Sequence, residues 1–142
     1  MIVPDVNLLL YAHVKGFAEH PKARRWWEDL MNGSEEVGLG GPAVFGFIRL
    51  ATSPRVLDRP LRVGEALARV EDWMSRRHVR FAMPGPRHLE IAFGLLRELG
   101  AAGNLTTDAQ LAALAIERQG EVHSNDADFG RFRGLRWVNP LH

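Results

Sequence analysis

Four aspartates occupy positions from which the folded chain could bring them together. Asp5 lies between two almost wholly apolar stretches at the start of the chain. Asp108 begins a segment of small and apolar residues, and Asp126 and Asp128 follow a short apolar stretch. A carboxylate in an otherwise buried segment is costly unless hydrogen bonds or a cation satisfy it. These acids therefore predict either a buried hydrogen-bond network or a cation-binding site.

Carboxylates that converge repel one another, and their pKa values rise unless a cation is present. Mg²⁺ and Mn²⁺ take oxygen ligands of this kind and keep several of their waters. The chain has no cysteine, and its six histidines are scattered, so no spacing indicates zinc. A metal held by carboxylates can lower the pKa of a bound water and neutralise charge on a leaving oxygen. The acids therefore favour phosphodiester hydrolysis by metal-activated water, with no covalent nucleophile.

Alternating strands and helices are expected to position these acids. We predict strands at 2–6, 77–83, 121–126 and 135–141, helices at 8–13, 21–32, 43–51, 64–74 and 86–99, and a last helix with Thr106 as its N-cap. The segment "GSEEVGLGG", residues 33–41, is expected to be a loop. The alternation predicts an α/β fold, a three-layer α/β/α sandwich with a central, mostly parallel sheet. Asp5, Asp108 and Asp126 would then share the edge where such sheets bind ligands.

The composition is that of an ordinary globular protein. The 142 residues, 46% hydrophobic and 25% charged, predict a single domain over 1–142 with a substantial core. No apolar run approaches the roughly 20 residues of a membrane helix, and the N-terminus lacks the pattern of a signal peptide. With no disulfide framework, the chain is compatible with a reducing cytoplasm, where we expect it to act. The net charge of +1 does not make the chain a polycation.

Three segments, taken together, resemble the PIN-domain ribonucleases and, more narrowly, the VapC-type toxins of bacterial toxin–antitoxin pairs. They are "DVNLLLYA", "FIRLATSPRV" and "DAQLAALAIERQGEVHSNDADFGRFRGLRWVNPL", and the likeness extends over essentially the whole chain. Each piece is weak by itself, whereas their order and separation are specific. The resemblance implies a Mg²⁺- or Mn²⁺-dependent endoribonuclease that forms a homodimer and is inhibited by a VapB-type antitoxin. It also implies a tRNA or a ribosomal RNA loop as the target.

The resemblance assigns roles to individual residues. Asp5 and Asp108 match the usual metal ligands of the family, and Asp126 and Asp128 match the further acids after the penultimate strand. Asn7 and Ser124 match polar positions that hydrogen-bond the carboxylates.

The chain departs from the family at one position. The family often has a glutamate that begins a Glu-x-x-Arg pattern, whereas this chain has Gly46, with Arg49 retained. Glycine has no side chain to bind a metal, so the departure places a two-metal mechanism in question more than the fold. Arginine suits phosphate contact, and Arg49 and Arg87 are the candidates for binding RNA near the acidic edge.

Three other interpretations remain. A phosphatase of the haloacid-dehalogenase type also has an acid after its first strand, but Asn7 stands where its second acid would be, and a clear catalytic lysine is missing. A PIN fold that binds RNA or a partner without cutting is compatible with Gly46. In the third, the acids are helix caps and turn residues of an interaction protein, and Mg²⁺ leaves its thermal stability unchanged.

Overall fold

A computed structural model describes residues 1–142 and contains one five-stranded sheet. The strands are β1 (Ile2–Pro4), β2 (Val37–Gly40), β3 (Val79–Ala82), β4 (Glu121–His123) and β5 (Arg136–Val138). Their order across the sheet is β3-β2-β1-β4-β5, and every neighbouring pair is parallel. The sheet is therefore wholly parallel, and all of its strands end at one edge.

Six α-helices and one 3₁₀ helix connect the strands. They are α1 (Val6–His13), α2 (His20–Asn32), α3 (Gly41–Ala51), α4 (Val63–Met74), α5 (His88–Leu99), α6 (Leu105–Glu117) and the 3₁₀ helix (Ala127–Arg131). None of these helices has the length and apolarity needed to cross a membrane.

The strand order assigns the helices to two layers. The connections β1–β2 and β2–β3 run in one direction across the sheet, and the connection β3–β4 runs back across it. Because such crossovers are right-handed, α1 to α4 cover one face and α5 and α6 cover the other. The packing agrees, since α1 contacts α2 and α3, and α5 contacts α6. The predicted three-layer α/β/α sandwich is confirmed.

One predicted loop is wrong, because Val37–Gly40 forms strand β2 in the middle of the sheet. All four of its residues are buried. Glycine is usually unfavourable in strands, but it allows neighbouring groups to approach closely. A Cβ atom at Gly38 would collide with the Met1 side chain, and one at Gly40 would collide with Leu114 of α6. Here tertiary packing outweighs local strand propensity.

Helix α6 begins earlier than the sequence predicted. Asn104 precedes it, and Thr106 lies inside its first turn instead of capping it. Of the two extra helical residues, Leu105 is 7% exposed, so the earlier start buries an apolar side chain. Asp108 remains in the first turn, where the helix dipole and the free N–H groups favour a negative charge.

Candidate metal centre

Asp5 is a buried acid fixed by three hydrogen bonds. It caps α1 and is 3% exposed. The backbone N–H of Val6 donates to its Oδ1 at 2.7 Å, and the Ser124 hydroxyl donates to its Oδ2 at 2.7 Å. The Asp5 N–H donates to the His123 carbonyl at 2.9 Å, which ties the end of β1 to the end of β4. Burial raises the pKa of Asp5, the hydrogen bonds from Ser124 and Val6 oppose this, and the charge of Asp126 adds to it.

The segment after β4 holds two further acids in a defined geometry. Ser124 is fully buried, and its hydroxyl accepts a hydrogen bond from the Asp126 N–H at 3.0 Å while it donates to Asp5. Asp126 caps the 3₁₀ helix, and its Oδ1 accepts from the Asp128 N–H at 2.9 Å. Phe129 is 0% exposed and anchors the helix to the core. Ser124 thus links Asp5 to Asp126, and Asp126 orients Asp128.

Asp108 meets this segment from the first turn of α6, which contacts the 3₁₀ helix. One carboxylate oxygen from each of Asp108, Asp126 and Asp128 lies within 4.8 Å of the others, a spacing that could hold a metal ion. We call these three residues the carboxylate trio. Asp5 is not a member of the trio, although its charge reaches Asp108. Of the predicted set, Asp108 and Asp126 come together with Asp128, whereas Asp5 is buried and is connected to Asp126 through Ser124.

The electrostatics of Asp108 fit a cation site. Burial raises its pKa to about 7, and the charges of Asp5, Asp126 and Asp128 each contribute. An acid at a helix N-terminus would ordinarily have a lowered pKa, so the acidic neighbours and burial outweigh the dipole. A bound divalent cation would remove this repulsion, and carboxylate oxygens are the ligands that Mg²⁺ and Mn²⁺ accept. The donor set therefore fits a hard divalent ion.

Gly46 faces α1 and not open space. A Cβ atom at this position would lie 2.9 Å from Cγ2 of Val6, the residue that follows Asp5. That is too close for carbon atoms, and the β-branched Val6 side chain is stiff. The close approach of α3 to α1 therefore explains why a glycine, and not an acid, occupies this position.

The remaining predicted site residues lie at different distances from the trio. Asn7 makes no side-chain hydrogen bond, so Ser124 alone of the two predicted polar residues bonds to a carboxylate. Arg49 is exposed in the last turn of α3, about 13 Å along the helix from the edge where β2 ends. The Arg87 N–H donates to Glu117 at the far end of α6, about 13 Å along the axis from Asp108. Neither arginine forms an ion pair with an acid of the trio, and their role in binding RNA stays a prediction.

Sequence reasoning missed two side chains beside the acids. The Arg131 guanidinium lies 3.8 Å from Asp128 Oδ1, one turn along the 3₁₀ helix. The Tyr11 hydroxyl lies within reach of the charges of Glu19, Asp5 and Asp126, and its pKa is raised by burial first and by these charges second. For Arg131, the three-residue spacing from Asp128 was the available signal, because residues three apart share a face of a 3₁₀ helix. Tyr11 lies six residues after Asp5, and its spacing gave no such signal.

Comparisons with known proteins identify the class. The PIN-domain family matches residues 2–135, and the chain belongs to that family. Among curated relatives, "Ribonuclease VapC33" of Mycobacterium tuberculosis is 54% identical over 141 residues, covering 99% of each chain. "Ribonuclease VapC37" of the same species is 37% identical, covering 99% of this chain and 97% of the relative.

Solved structures have the same fold at low sequence identity. VapC20 of Mycobacterium tuberculosis, described as a sarcin-ricin loop cleaving toxin, aligns with a TM-score of 0.71 at 19% identity, over 96% of this chain and 99% of VapC20. VapBC2 from Rickettsia felis, bound to a DNA fragment from its promoter, aligns with a TM-score of 0.69 at 17% identity, over 98% of each chain. At these identities the likeness supports the fold alone.

Proposed function

We propose that this chain, as one domain over 1–142, is a metal-dependent endoribonuclease toxin. The observation that carries the proposal is the carboxylate trio of Asp108, Asp126 and Asp128 at the carboxyl edge of a PIN fold. The 54% identity to a relative named as a ribonuclease, over nearly the whole of both chains, supports the same activity. The proposed substrate is a tRNA or a ribosomal RNA loop, and the proposed place of action is the cytoplasm.

Each acid has a distinct task in the proposed mechanism. The trio holds Mg²⁺ or Mn²⁺, which when bound supplies an activated water and neutralises charge at the scissile phosphate. Asp5 is retained from the sequence as a proposed metal ligand, and its charge, which reaches Asp108, would add to the attraction for the ion. Ser124 hydrogen-bonds both the Asp5 carboxylate and the Asp126 backbone N–H, which fixes the spacing of these two acids. With Gly46 in place of an acid, the proposal requires one tightly held metal ion.

Two kinds of partner belong to the proposal. A VapB-type antitoxin is supported by relatives solved as VapBC assemblies. A homodimer is supported by large apolar side chains left exposed on two elements. Leu89 and Phe93 are one turn apart on α5, and Phe81 and Met83 lie at the edge strand β3; their exposed fractions are 63%, 52%, 42% and 58%. Light scattering is expected to give twice the 15.9 kDa mass of one chain.

Cleavage of purified bacterial tRNA and ribosomal RNA tests the activity. The wild-type chain is expected to cut with Mg²⁺ or Mn²⁺ and to stop when EDTA is added. Asp5→Asn and Asp108→Asn keep the side-chain shape, remove a charge, and should each lower the rate by at least about 100-fold. Asp58→Asn is the matched control, because Asp58 is an exposed acid that forms no ion pair. Equal rates for the wild type and the two site variants would refute the enzymatic reading.

A non-cutting RNA- or partner-binding module remains the second candidate, and Gly46 is the observation that favours it. It predicts that RNA binds with the same affinity to the wild type and to Asp108→Asn, with no cleavage by either. The haloacid-dehalogenase alternative instead predicts hydrolysis of a small phosphate ester such as p-nitrophenyl phosphate. The PIN-domain match makes that alternative the weaker one.

A further inference from the structure

Arg131 is the one cation in contact with the acids of the site. Seven ion pairs form in the structure within 4.0 Å, and the pair between Arg131 and Asp128 alone includes Asp5 or a member of the trio. The charges that shift the pKa of Asp108 are all carboxylates. The site thus carries four acidic groups and a single neighbouring positive side chain.

The Arg131 guanidinium is available to a ligand. Its contact with Asp128 Oδ1 is 3.8 Å, which is too long for a hydrogen bond, and its side chain is half exposed. It makes no other side-chain contact with an acid or a carbonyl oxygen, so its five N–H donors remain free. Arg133, two residues along, differs because its guanidinium is already engaged by Glu98 at 3.2 Å.

The backbone that carries Arg131 is fixed relative to the trio. Arg131 ends a 3₁₀ helix that Asp126 caps, and the buried Phe129 and Phe132 enclose it on both sides. The same short helix therefore presents Asp128 and Arg131 at one edge of the site. A positive group held by its backbone beside a centre of developing negative charge can stabilise that charge.

Charge balance indicates what Arg131 would bind. Four ionised acids and one divalent cation leave two net negative charges, which would repel an RNA phosphate. Arg131 halves this excess, and a guanidinium can donate two parallel hydrogen bonds to a phosphate. We propose that Arg131 binds a phosphate of the RNA backbone next to the trio, at or beside the scissile bond. This proposal rests on the proposed nuclease function and adds a substrate-binding residue that the sequence prediction of Arg49 and Arg87 did not include.

The experiment compares Arg131→Ala and Arg131→Lys with Arg133→Ala, which removes the same charge from the same segment. Single-turnover cleavage of labelled bacterial tRNA and ribosomal RNA is measured in Mg²⁺ or Mn²⁺ at several salt concentrations. Arg131→Ala is expected to lower kcat/KM by at least about 30-fold, with partial recovery in Arg131→Lys and a change of less than about threefold in Arg133→Ala. The slope of log affinity against log salt should decrease by about 0.7, the value for one contact to a single-stranded phosphate.

A second readout separates phosphate binding from a structural role. The increase in melting temperature produced by Mg²⁺ should persist in Arg131→Ala, because the trio is intact. Loss of that increase, or kinetics of Arg131→Ala that match those of Arg133→Ala, would overturn the proposal. If the wild type cuts no RNA, the nuclease function fails separately, and the salt slope of RNA binding then decides whether Arg131 contacts phosphate.

Discussion

Replacing Asp108 with asparagine should stabilise the protein in the absence of metal. The pKa of Asp108 is raised from 3.8 to about 7, so the folded state holds this proton more tightly than the unfolded state does. Stability from this group is therefore fully present below about pH 4 and is lost as the pH rises through 7. A shift of about three units corresponds to roughly 4 kcal/mol. Because Asp108 is half-buried, solvent screening reduces this, and we expect about 1–2 kcal/mol at pH 8.

Thermal and urea unfolding in EDTA would measure this effect. At pH 8, Asp108→Asn should melt about 3–6 °C above the wild type, and the difference should approach zero near pH 4. Asp58→Asn, which removes an exposed acid, should leave the melting temperature unchanged. Saturating Mg²⁺ should reverse the order, because a ligand at 100 times its Kd adds about 2.7 kcal/mol to the wild type alone. A lower melting temperature for Asp108→Asn at pH 8 in EDTA would show that burial and the neighbouring acids do not destabilise the ionised Asp108 carboxylate.

Two further substitutions test the packing around α1. Burial lowers the pKa of His13 to about 4, and Trp73 Nε1 donates to its Nε2 at 3.2 Å. Because the folded state disfavours the protonated imidazole, the free energy of unfolding should fall by up to about 3 kcal/mol as the pH drops from about 6.5 to 4. His13→Gln should abolish that slope in urea titrations, the exposed His142→Gln should keep it, and an unchanged slope in His13→Gln would refute the assignment. Gly46→Glu should lower stability by about 1–3 kcal/mol and reduce cleavage, because its Cβ would meet Val6 at 2.9 Å. The double variant Val6→Ala, Gly46→Glu should recover stability, and a Gly46→Glu protein as stable as the wild type would show that the contact is not limiting.

The fold was predictable where local signals and tertiary packing agree. Spacing and composition are enough to predict amphipathic helices such as α5. This helix ends at Gly100, which adopts the left-handed conformation at φ 67°. Strand β2 was not, because its two glycines give no strand signal. Their role appears only when β2 lies between β1 and β3 and the side chains of Met1 and Leu114 fill the space above them.

The convergence of the acids followed from a topological rule, whereas their grouping did not. Parallel strands place everything at their carboxyl ends on one edge, so acids after β1 and β4 had to be neighbours. The hydrogen bonds that position each acid could not be derived from that rule: Ser124 and the Val6 N–H each donate to one oxygen of Asp5. The rule also says nothing of helix starts such as Arg87, whose backbone N–H donates to Glu117 at the opposite end of α6 from Asp108.

His13 and Asp108 influence stability in opposite directions over the same pH range. Between about pH 4 and 6.5, the Asp108 carboxyl is protonated in the folded state and ionised in the unfolded state, so its contribution to stability falls as the pH rises. The His13 imidazole is neutral in the folded state and protonated in the unfolded state, so its contribution rises with pH. The two contributions partly cancel in the wild type, so its free energy of unfolding should change little with pH over this range. Asp108→Asn should expose the His13 slope, with stability rising as the pH increases, and His13→Gln should expose the opposite slope. A bound metal ion removes only the Asp108 contribution, so the wild type in Mg²⁺ should acquire the pH profile of Asp108→Asn.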